Sequence, residues 1–434
     1  MITALGFIMM FSIIALILVR RISPLVAFIT FPILACLIAG FDLKQISDFV
    51  KTGLGAVAPT AVLFIFAILY FGLMRDRGLF DPLVNFLIRS TRGRPLAVAL
   101  VTVAVTFVVH LDGIGAATFL LVIPAFLSLY QRLNMSPLML TCLVGTSAGV
   151  MNMVPWGGTT ARAAATTGLD PTVLWTHLIP VQFVGLLCML GIATFLGLRA
   201  QRRMPGSLGA AATQALPGEM EAKPFALPVT HWRYWANVAL TIGILACLFT
   251  GALPLHVSFM VGVAIALPLN FPSLDQQGER LKAHAGDAMQ MTLVMFAAGI
   301  LLGVLSGAKM SEGMALAMID VLPAGSAQYL HVIVGAFGVP LGMLFSPDAY
   351  YFALLPIIRD IAVTAGVPLE SVARAMLIGE NAGFAISPVV PSVYLLIALA
   401  GVELRTHIRY TFFWAWGVSL VMLASAIAFG VVTF

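Results

Sequence analysis

Residues 138–165 read LMLTCLVGTSAGVMNMVPWGGTTARAAA, an apolar run long enough to cross a bilayer, with Asn152, Pro155, Gly157, Gly158, Thr159, Thr160 and Arg162 toward its middle and end. A continuous helix would place helix formers there, and a proline followed by Gly-Gly implies an unwound stretch instead. At membrane depth such backbone is tolerated only where it is buried in protein or lines a cavity. The run therefore points to a helical membrane protein built around an internal polar site. The rest of the chain agrees in character, because 61% of its 434 residues are hydrophobic and only 9% are charged. A soluble domain runs at roughly 45–50% apolar and about 25% charged, so that class is excluded. Strand-like alternation is missing, which excludes a β-barrel.

Scanning outward from 138–165, apolar segments fall at 2–19, 24–40, 54–74, 173–198, 234–250, 254–270, 288–306, 370–400 and 406–433. The prediction is an all-α polytopic protein of about ten transmembrane helices. Two further stretches, 95–130 and 330–358, are each broken near the middle by a polar or Pro/Gly cluster. Each has a first limb too short to span comfortably, so both are predicted to be re-entrant hairpins. Residues 199–232 are rich in Ala, Gly and Pro and read as a linker between two halves, with at most a short helix. The N-terminus shows no cleavable signal pattern, since its apolar run precedes Arg20 and Arg21. Cys36, Cys142, Cys188 and Cys247 all lie in apolar stretches with no paired spacing, which argues for packing rather than zinc, disulfides or redox chemistry.

The halves resemble each other at an offset of about 235 residues. Gly72 and Gly78 map to Gly307 and Gly313, Asp112 maps to Asp348, and Ala148-Gly149 falls over Ala382-Gly383. The predicted domains are a first repeat over 1–198 and a second over 233–434, joined by the linker. With an odd number of crossings in each, the second repeat is inverted relative to the first, the design of secondary transporters. Loops assigned alternately gather most of the 23 lysines and arginines on one side, among them Arg20, Arg21, Arg75, Arg132, Arg199 and Arg280. The other side keeps Lys44, Lys51, Lys309, Arg359 and Arg374. By the positive-inside rule the linker is cytoplasmic and both termini face outward, so the net charge of +5 is topological and implies no nucleic-acid partner.

Polar residues inside the membrane are costly and mark function. Asp112, beside His110 and Gly113 at the first hairpin tip, is expected to hold a cation or proton. Asp348, preceded by Ser346-Pro347, repeats that arrangement from the other side, and both are candidate metal contacts. A helix cap is the competing role for either aspartate. The unwound stretch exposes carbonyls for a cation and helix N-termini for an anion, and Arg162 adds a guanidinium suited to a carboxylate. Pairing of Arg162 with an acid such as Asp112 or Glu380 is the structural alternative. In the second half Asn381, Ser387, Pro388, Pro391 and Ser392 mark the equivalent break, with Glu380 either a buried proton carrier or a helix-end residue. No zinc motif and no nucleophile with a positioned base is evident, so an enzyme is not expected.

The segments HLDGIGAATF (110–119), AGVMN to PWGGTTARAA (148–164), SPDAYYF (346–352) and SPVVPSVYLLIALAGVEL (387–404) closely resemble the citrate metal/proton symporter family of the ion transporter superfamily. The resemblance covers nearly the whole chain apart from the linker. It implies uptake of citrate or a related di- or tricarboxylate across the bacterial inner membrane, with the substrate complexed to Mg²⁺ or Ca²⁺ and coupled to protons. The wider superfamily implies a homodimer whose transport domain moves as an elevator, and it also contains sodium-coupled dicarboxylate carriers and inorganic-ion antiporters. Asp112 and Gly113 match the first tip motif, Gly157 to Arg162 the first loop, Asp348 the second tip, and Ser387 to Ser392 the second loop. Ile114 and Glu380-Asn381 depart from the pattern. In this reading Asn152, Gly157, Gly158, Thr159, Thr160, Arg162, Ser387 and Ser392 bind the carboxylates. Asp112, Gly113, His110, Asp348, Ser346, Glu380 and Asn381 serve the coupling cation or proton. No covalently bound cofactor is required.

Overall fold

The computed structural model describes residues 1–19, 21–91, 94–202, 225–323 and 325–434. Among these every regular element is helical. The chain begins with α1 (Ile2–Leu18), α2 (Pro24–Ala39), α3 (Leu43–Asp76) and the short α4 (Asp81–Ser90). A hairpin follows, with limbs α5 (Pro95–Val109) and α6 (Gly115–Arg132), then the pair α7 (Pro137–Met151) and α8 (Gly158–Thr167), and the long α9 (Pro171–Arg202). The second half runs α10 (Trp232–Thr250), α11 (Leu255–Asn270), α12 (Leu274–Gly307) and α13 (Met310–Val321). Its hairpin is α14 (Leu330–Ala336), α15 (Gly338–Leu344) and α16 (Leu355–Thr364), followed by α17 (Leu369–Asn381), α18 (Pro391–Ala400) and α19 (Leu404–Ala428). The order of elements thus recurs, and α3 and α12 are both 34 residues long.

Local chemistry sets these boundaries. Asp42 and Gln45 form a reciprocal capping box at the start of α3, with Gln45 N donating to Asp42 at 2.7 Å and Asp42 N donating to Gln45 at 3.0 Å. Ser136 caps α7 and Ser273 caps α12. Seven of the described helices are long and apolar enough to cross a membrane, or eight if the bent pair Ala327–Ala336 and Gly338–Leu344 is one span. The expected spans at 2–19, 24–40 and 254–270 form shorter apolar helices, and those at 138–165 and 370–400 are broken.

Several boundaries differ from the sequence reading. The first hairpin limb is not short: the polar His110–Asp112 turn continues α5, so Pro95–Asp112 spans 18 residues, and α6 adds another 18. The second hairpin has a first limb bent by 70° at Phe337 and a second limb that runs to Thr364 rather than ending at 358. Helices α3 and α12 start 11 and 14 residues earlier than the apolar runs at 54 and 288, because capped polar segments extend them. The linker expected at 199–232 begins inside α9, which reaches Arg202; residues 203–224 lie outside the described residues. Beyond them Phe225–Val229 returns to the end of α3, where Arg77 donates to the Phe225 carbonyl at 3.1 Å and stacks over Phe271.

The apolar packing separates into distinct cores that cut across the two halves. One core joins α4 to α9 with the second hairpin, α17, α18 and α19. The others are built mainly from α1, α2, α3, α12 and α13, and from α3, α10 and α11. Within the first core the two broken helices cross at Gly149, where a Cβ would collide with the Asn381 carbonyl and the Ala382 backbone. Gly149→Val is expected to cost about 3 kcal/mol, read as a drop in thermal stability of the detergent-solubilised protein. Gly55→Ala, which meets nothing within 4 Å, should stay within about 0.5 kcal/mol of the native protein.

Candidate functional site

The two helix breaks and the two hairpin tips converge. Helix α7 ends at Met151, and Asn152 to Gly157 run irregularly before Gly157 starts α8. Trp156 fastens this loop to the first hairpin by donating from Nε1 to the Leu111 carbonyl at 2.6 Å. At that tip Gly113 has φ +71, a conformation that favours glycine, and it sits against Trp156 and Gly157. In the second half Ser346 caps the second limb by accepting from Ala349 N at 3.2 Å. The role of cap thus falls to Ser346, which leaves the Asp348 carboxylate free for another partner.

A cavity of about 700 Å³ lies where these pieces meet. Its walls include Gly113–Ala116, Asn152, Gly158, Thr159 and Arg162 from the first half, and Ser346–Asp348, Phe384 and Val389–Ser392 from the second. The remaining wall comes from the other cores: Ile17 and Arg21–Pro24 between α1 and α2, Phe64 and Ile68 on α3, and Asp287, Gln290 and Met291 on α12.

Arg162 is the electrostatic centre of the cavity. Its Nε donates to Asp348 Oδ1 at 2.7 Å, its Nη1 to the Gly158 carbonyl at 2.9 Å, and its Nη2 to the Met291 sulfur at 3.3 Å. Asp348 therefore engages one N–H rather than the bidentate edge, and a thioether is a weak acceptor for the other end of the fork. The second Asp348 oxygen accepts no hydrogen bond among the described residues. Both side chains are mostly buried, at 10% and 19% exposure. A cation and an anion thus face the cavity side by side, each with binding capacity to spare.

The remaining candidates divide between the cavity and its support. Asn152, Gly158, Thr159 and Ser392 line the cavity; the Thr159 hydroxyl lies 2.8 Å from Asn381 Oδ1 and 3.2 Å from the Asn152 carbonyl, both acceptors for it. Thr160 was expected to receive a substrate carboxylate, but its hydroxyl is buried and donates to the Met153 carbonyl at 3.0 Å, which holds the break together. Asn381 is likewise turned inward, donating to the Leu377 carbonyl at 2.7 Å. Gly157 and Ser387 are not on the cavity wall, and Ser387 is buried with no partner for its hydroxyl among the described residues.

Asp112 is also away from the cavity. Arg75, at the end of α3, donates to its Oδ2 at 3.1 Å, and Ile114 N donates to Oδ1 at 2.9 Å. The carboxylate therefore turns back to stabilise its own tip and to grip α3. His110 is buried with Nδ1 at 2.8 Å from the Thr118 hydroxyl. Glu380 is buried in the first core, accepting from the Tyr351 hydroxyl at 2.9 Å. Sequence reasoning missed Arg21, Ser23, Asp287 and Gln290. Arg21 was read only as a topology marker, whereas Asp287 and Gln290 stand three residues apart on one helical face, a spacing that could have flagged them.

Comparisons with known proteins follow the same line. The CitMHS model, described as citrate transporter, matches residues 2–379. A citrate transporter of Bacillus subtilis (strain 168) is 39% identical over 435 residues, covering 100% of both chains. The Mg(2+)/citrate complex secondary transporter of the same organism is 37% identical over 437 residues, covering 100% of this chain and 99% of that one. Among solved structures the YdaH transporter of Alcanivorax borkumensis matches with a TM-score of 0.61 at 16% identity, covering 90% of each chain, a likeness of fold.

Asp112→Asn removes the ionised acceptor that receives Arg75 and the Ile114 N–H at a buried tip and should destabilise the protein by about 2–3 kcal/mol. Adding Arg75→Gln should recover a large part of that loss. A thermal-unfolding double-mutant cycle checks it, with additivity as the contrary result.

Proposed function

The chain belongs to the citrate transporter family CitMHS, a family of multi-pass membrane transporters rather than enzymes, and from that membership we propose that it takes up citrate as a complex with a divalent cation, coupled to protons. The observation that carries this reading is the Arg162–Asp348 pair at 2.7 Å on the cavity wall. A metal–citrate complex carries both a cation and free carboxylates, so it can insert into such a pair. The guanidinium takes a carboxylate through the edge now given to a carbonyl and a thioether, and Asp348 turns its free oxygen to the metal. Asn152 and Ser392 offer amide and hydroxyl groups to the rest of the substrate, beside Thr159, whose hydroxyl proton is already given to Asn381. Mg²⁺ prefers six oxygens and keeps several waters, and citrate with water supplies what one carboxylate cannot.

Charge favours the complex over bare citrate. The cavity wall carries Arg21 and Arg162 against Asp287 and Asp348, which balance. Citrate near pH 7 is close to trivalent, and bringing three uncompensated charges into a low-dielectric site costs several kcal/mol for each. The divalent cation removes most of that cost, and protons remove the remainder. Metal and anion then assist each other's binding, as linkage requires. A relative that is named for the Mg(2+)/citrate complex supports the same choice.

The separate cores support an elevator reading. The hairpins and broken helices carry most of the cavity, while α1, α2, α3 and α12 supply the opposing wall, so the site sits on a boundary across which one unit can slide. With the linker cytoplasmic and both termini outside, Arg21 and Asp287 mark the cytoplasmic ends of α1 and of the membrane portion of α12, and the cavity is read as inward-facing. A homodimer in the bacterial inner membrane completes the proposal.

In proteoliposomes, uptake of labelled citrate should rise with Mg²⁺ or Ca²⁺, fall in chelator and collapse with a protonophore. Robust uptake in chelator, driven by a sodium gradient alone, contradicts the reading. Arg162→Lys keeps the charge but loses the planar fork, and substrate affinity should weaken more than about tenfold. Unchanged affinity would return Arg162 to a purely structural role.

A further inference from the structure

Among the described residues Glu380 is the one buried carboxylate that neither lines the cavity nor forms an ion pair. It sits at the end of α17, 1% exposed, and its single hydrogen-bond partner among the described residues is the Tyr351 hydroxyl, which donates to Oε2 at 2.9 Å. A fully buried, singly bonded carboxylate is a poor structural element, because an ionised group in that position needs a counter-charge or several donors. As a neutral acid it costs far less. The position is thus one where gain and loss of a proton are both within reach, provided that something nearby alters the balance.

Two features of the surroundings supply that link. Tyr351 lies in a π-helical turn, Tyr350–Leu354, three residues beyond Asp348. Such turns are rare and concentrate at functional sites. This one buries both tyrosines completely, with the rings 5.1 Å apart, and leaves the Tyr350 hydroxyl with no hydrogen-bond partner among the described residues. The hydroxyl that holds Glu380 is therefore tied by a short stretch of backbone to the carboxylate that holds Arg162.

The second feature is Arg162 itself, which donates to Asp348 at 2.7 Å, three residues before the tyrosine that holds Glu380. Other charged or titratable groups around Glu380 are occupied elsewhere. On its own helix Arg374 donates to the Val431 carbonyl, and on α19 His407 contacts the Ala385 carbonyl. Ser419, also on α19, donates to the Gly379 carbonyl rather than to the carboxylate. The first limb of the second hairpin presents Gly342 to the Glu380 side chain, and the titratable group on that limb, His331, contacts the Thr433 carbonyl at 3.0 Å. Arg162 is thus the cation of the cavity that the Asp348–Tyr351 stretch links to Glu380.

We propose that Glu380, held by Tyr351, is the residue that carries the coupling proton. The proposal rests on the citrate–proton reading above and names the site within it. A substrate carboxylate that takes the Arg162 guanidinium consumes the positive charge that offsets an ionised Glu380. Anion binding therefore favours protonation of Glu380, and protonation favours anion binding, by the same free energy in both directions. The proton enters as H⁺ on the carboxylate and leaves as H⁺, with no other bond made or broken. Asp348 and Asp112, both committed to arginines, are freed from this duty.

The test compares net uptake with exchange in proteoliposomes, using labelled citrate with Mg²⁺. Glu380→Gln, which mimics the protonated acid in shape, should keep citrate–citrate exchange within about twofold of the native rate and make it independent of pH. It should lower accumulation driven by a proton gradient by more than about tenfold. Glu380→Asp should restore part of that accumulation. Tyr351→Phe removes a donor to the ionised form, so the midpoint of the pH dependence of uptake should move alkaline by about 0.5–1 unit. Gradient-driven accumulation by Glu380→Gln at the native level and pH profile overturns the assignment. So does loss of exchange in a variant that remains monodisperse, combined with an unshifted Tyr351→Phe profile, which is the pattern of a packing residue. Absence of citrate exchange by the native protein is a separate result and overturns the functional reading itself.

Discussion

The ion pair between Arg162 and Asp348 is the contact on which the arrangement depends. It joins the helix that restarts after the first break to the tip of the second hairpin, and so ties the two halves of the chain at one point of the cavity wall. A buried pair of this kind contributes little net stability, yet loss of one partner is strongly destabilising because it leaves a charge without compensation. In a transporter that asymmetry is useful. The pair is one that a ligand must satisfy on both sides before it can part it, so under the proposed function neither a lone anion nor a lone cation is a good substitute for the metal–citrate complex.

Around that pair the protein solves a problem of backbone chemistry. Two helices are interrupted at depth, and their loose carbonyls and amides need partners where water is scarce. Trp156 on the Leu111 carbonyl and Thr160 on the Met153 carbonyl meet part of that need, as does the Thr159 hydroxyl between Asn381 and the Asn152 carbonyl. Several polar residues of the breaks are thus spent on holding the unwound segments, and the groups left facing the cavity are few. Arg75 on Asp112 does similar work at the first tip while linking it to α3, a helix of the opposing cores.

How far the sequence could be read follows from these interactions. The break at 152–158 was legible because Pro-Trp-Gly-Gly cannot continue a helix, and Arg162 stood out as the single arginine in an apolar run. The family was legible in motifs spread over both halves. The partners were not. Asp112 and Asp348 look equivalent in the repeat, but one faces Arg75 and the other Arg162, a difference set by tertiary packing that no local spacing encodes. Thr159 and Thr160 are neighbours in sequence and are separated only by helical phase, which turns one to the cavity and the other to the Met153 carbonyl. Arg21 and Asp287 are not recognisable as site residues because they lie outside the breaks, on elements that reach the site only through the fold. The first hairpin limb was underestimated for a simpler reason: His110–Asp112 is polar yet continues the helix as a 3₁₀ turn.

The most direct measurement is an experimental structure of the protein with Mg²⁺ and citrate bound. The account predicts a citrate carboxylate on the Arg162 guanidinium, the metal next to Asp348, and the 2.7 Å contact between the two side chains opened. Citrate density elsewhere, with the Arg162–Asp348 pair intact and no metal beside Asp348, would contradict it.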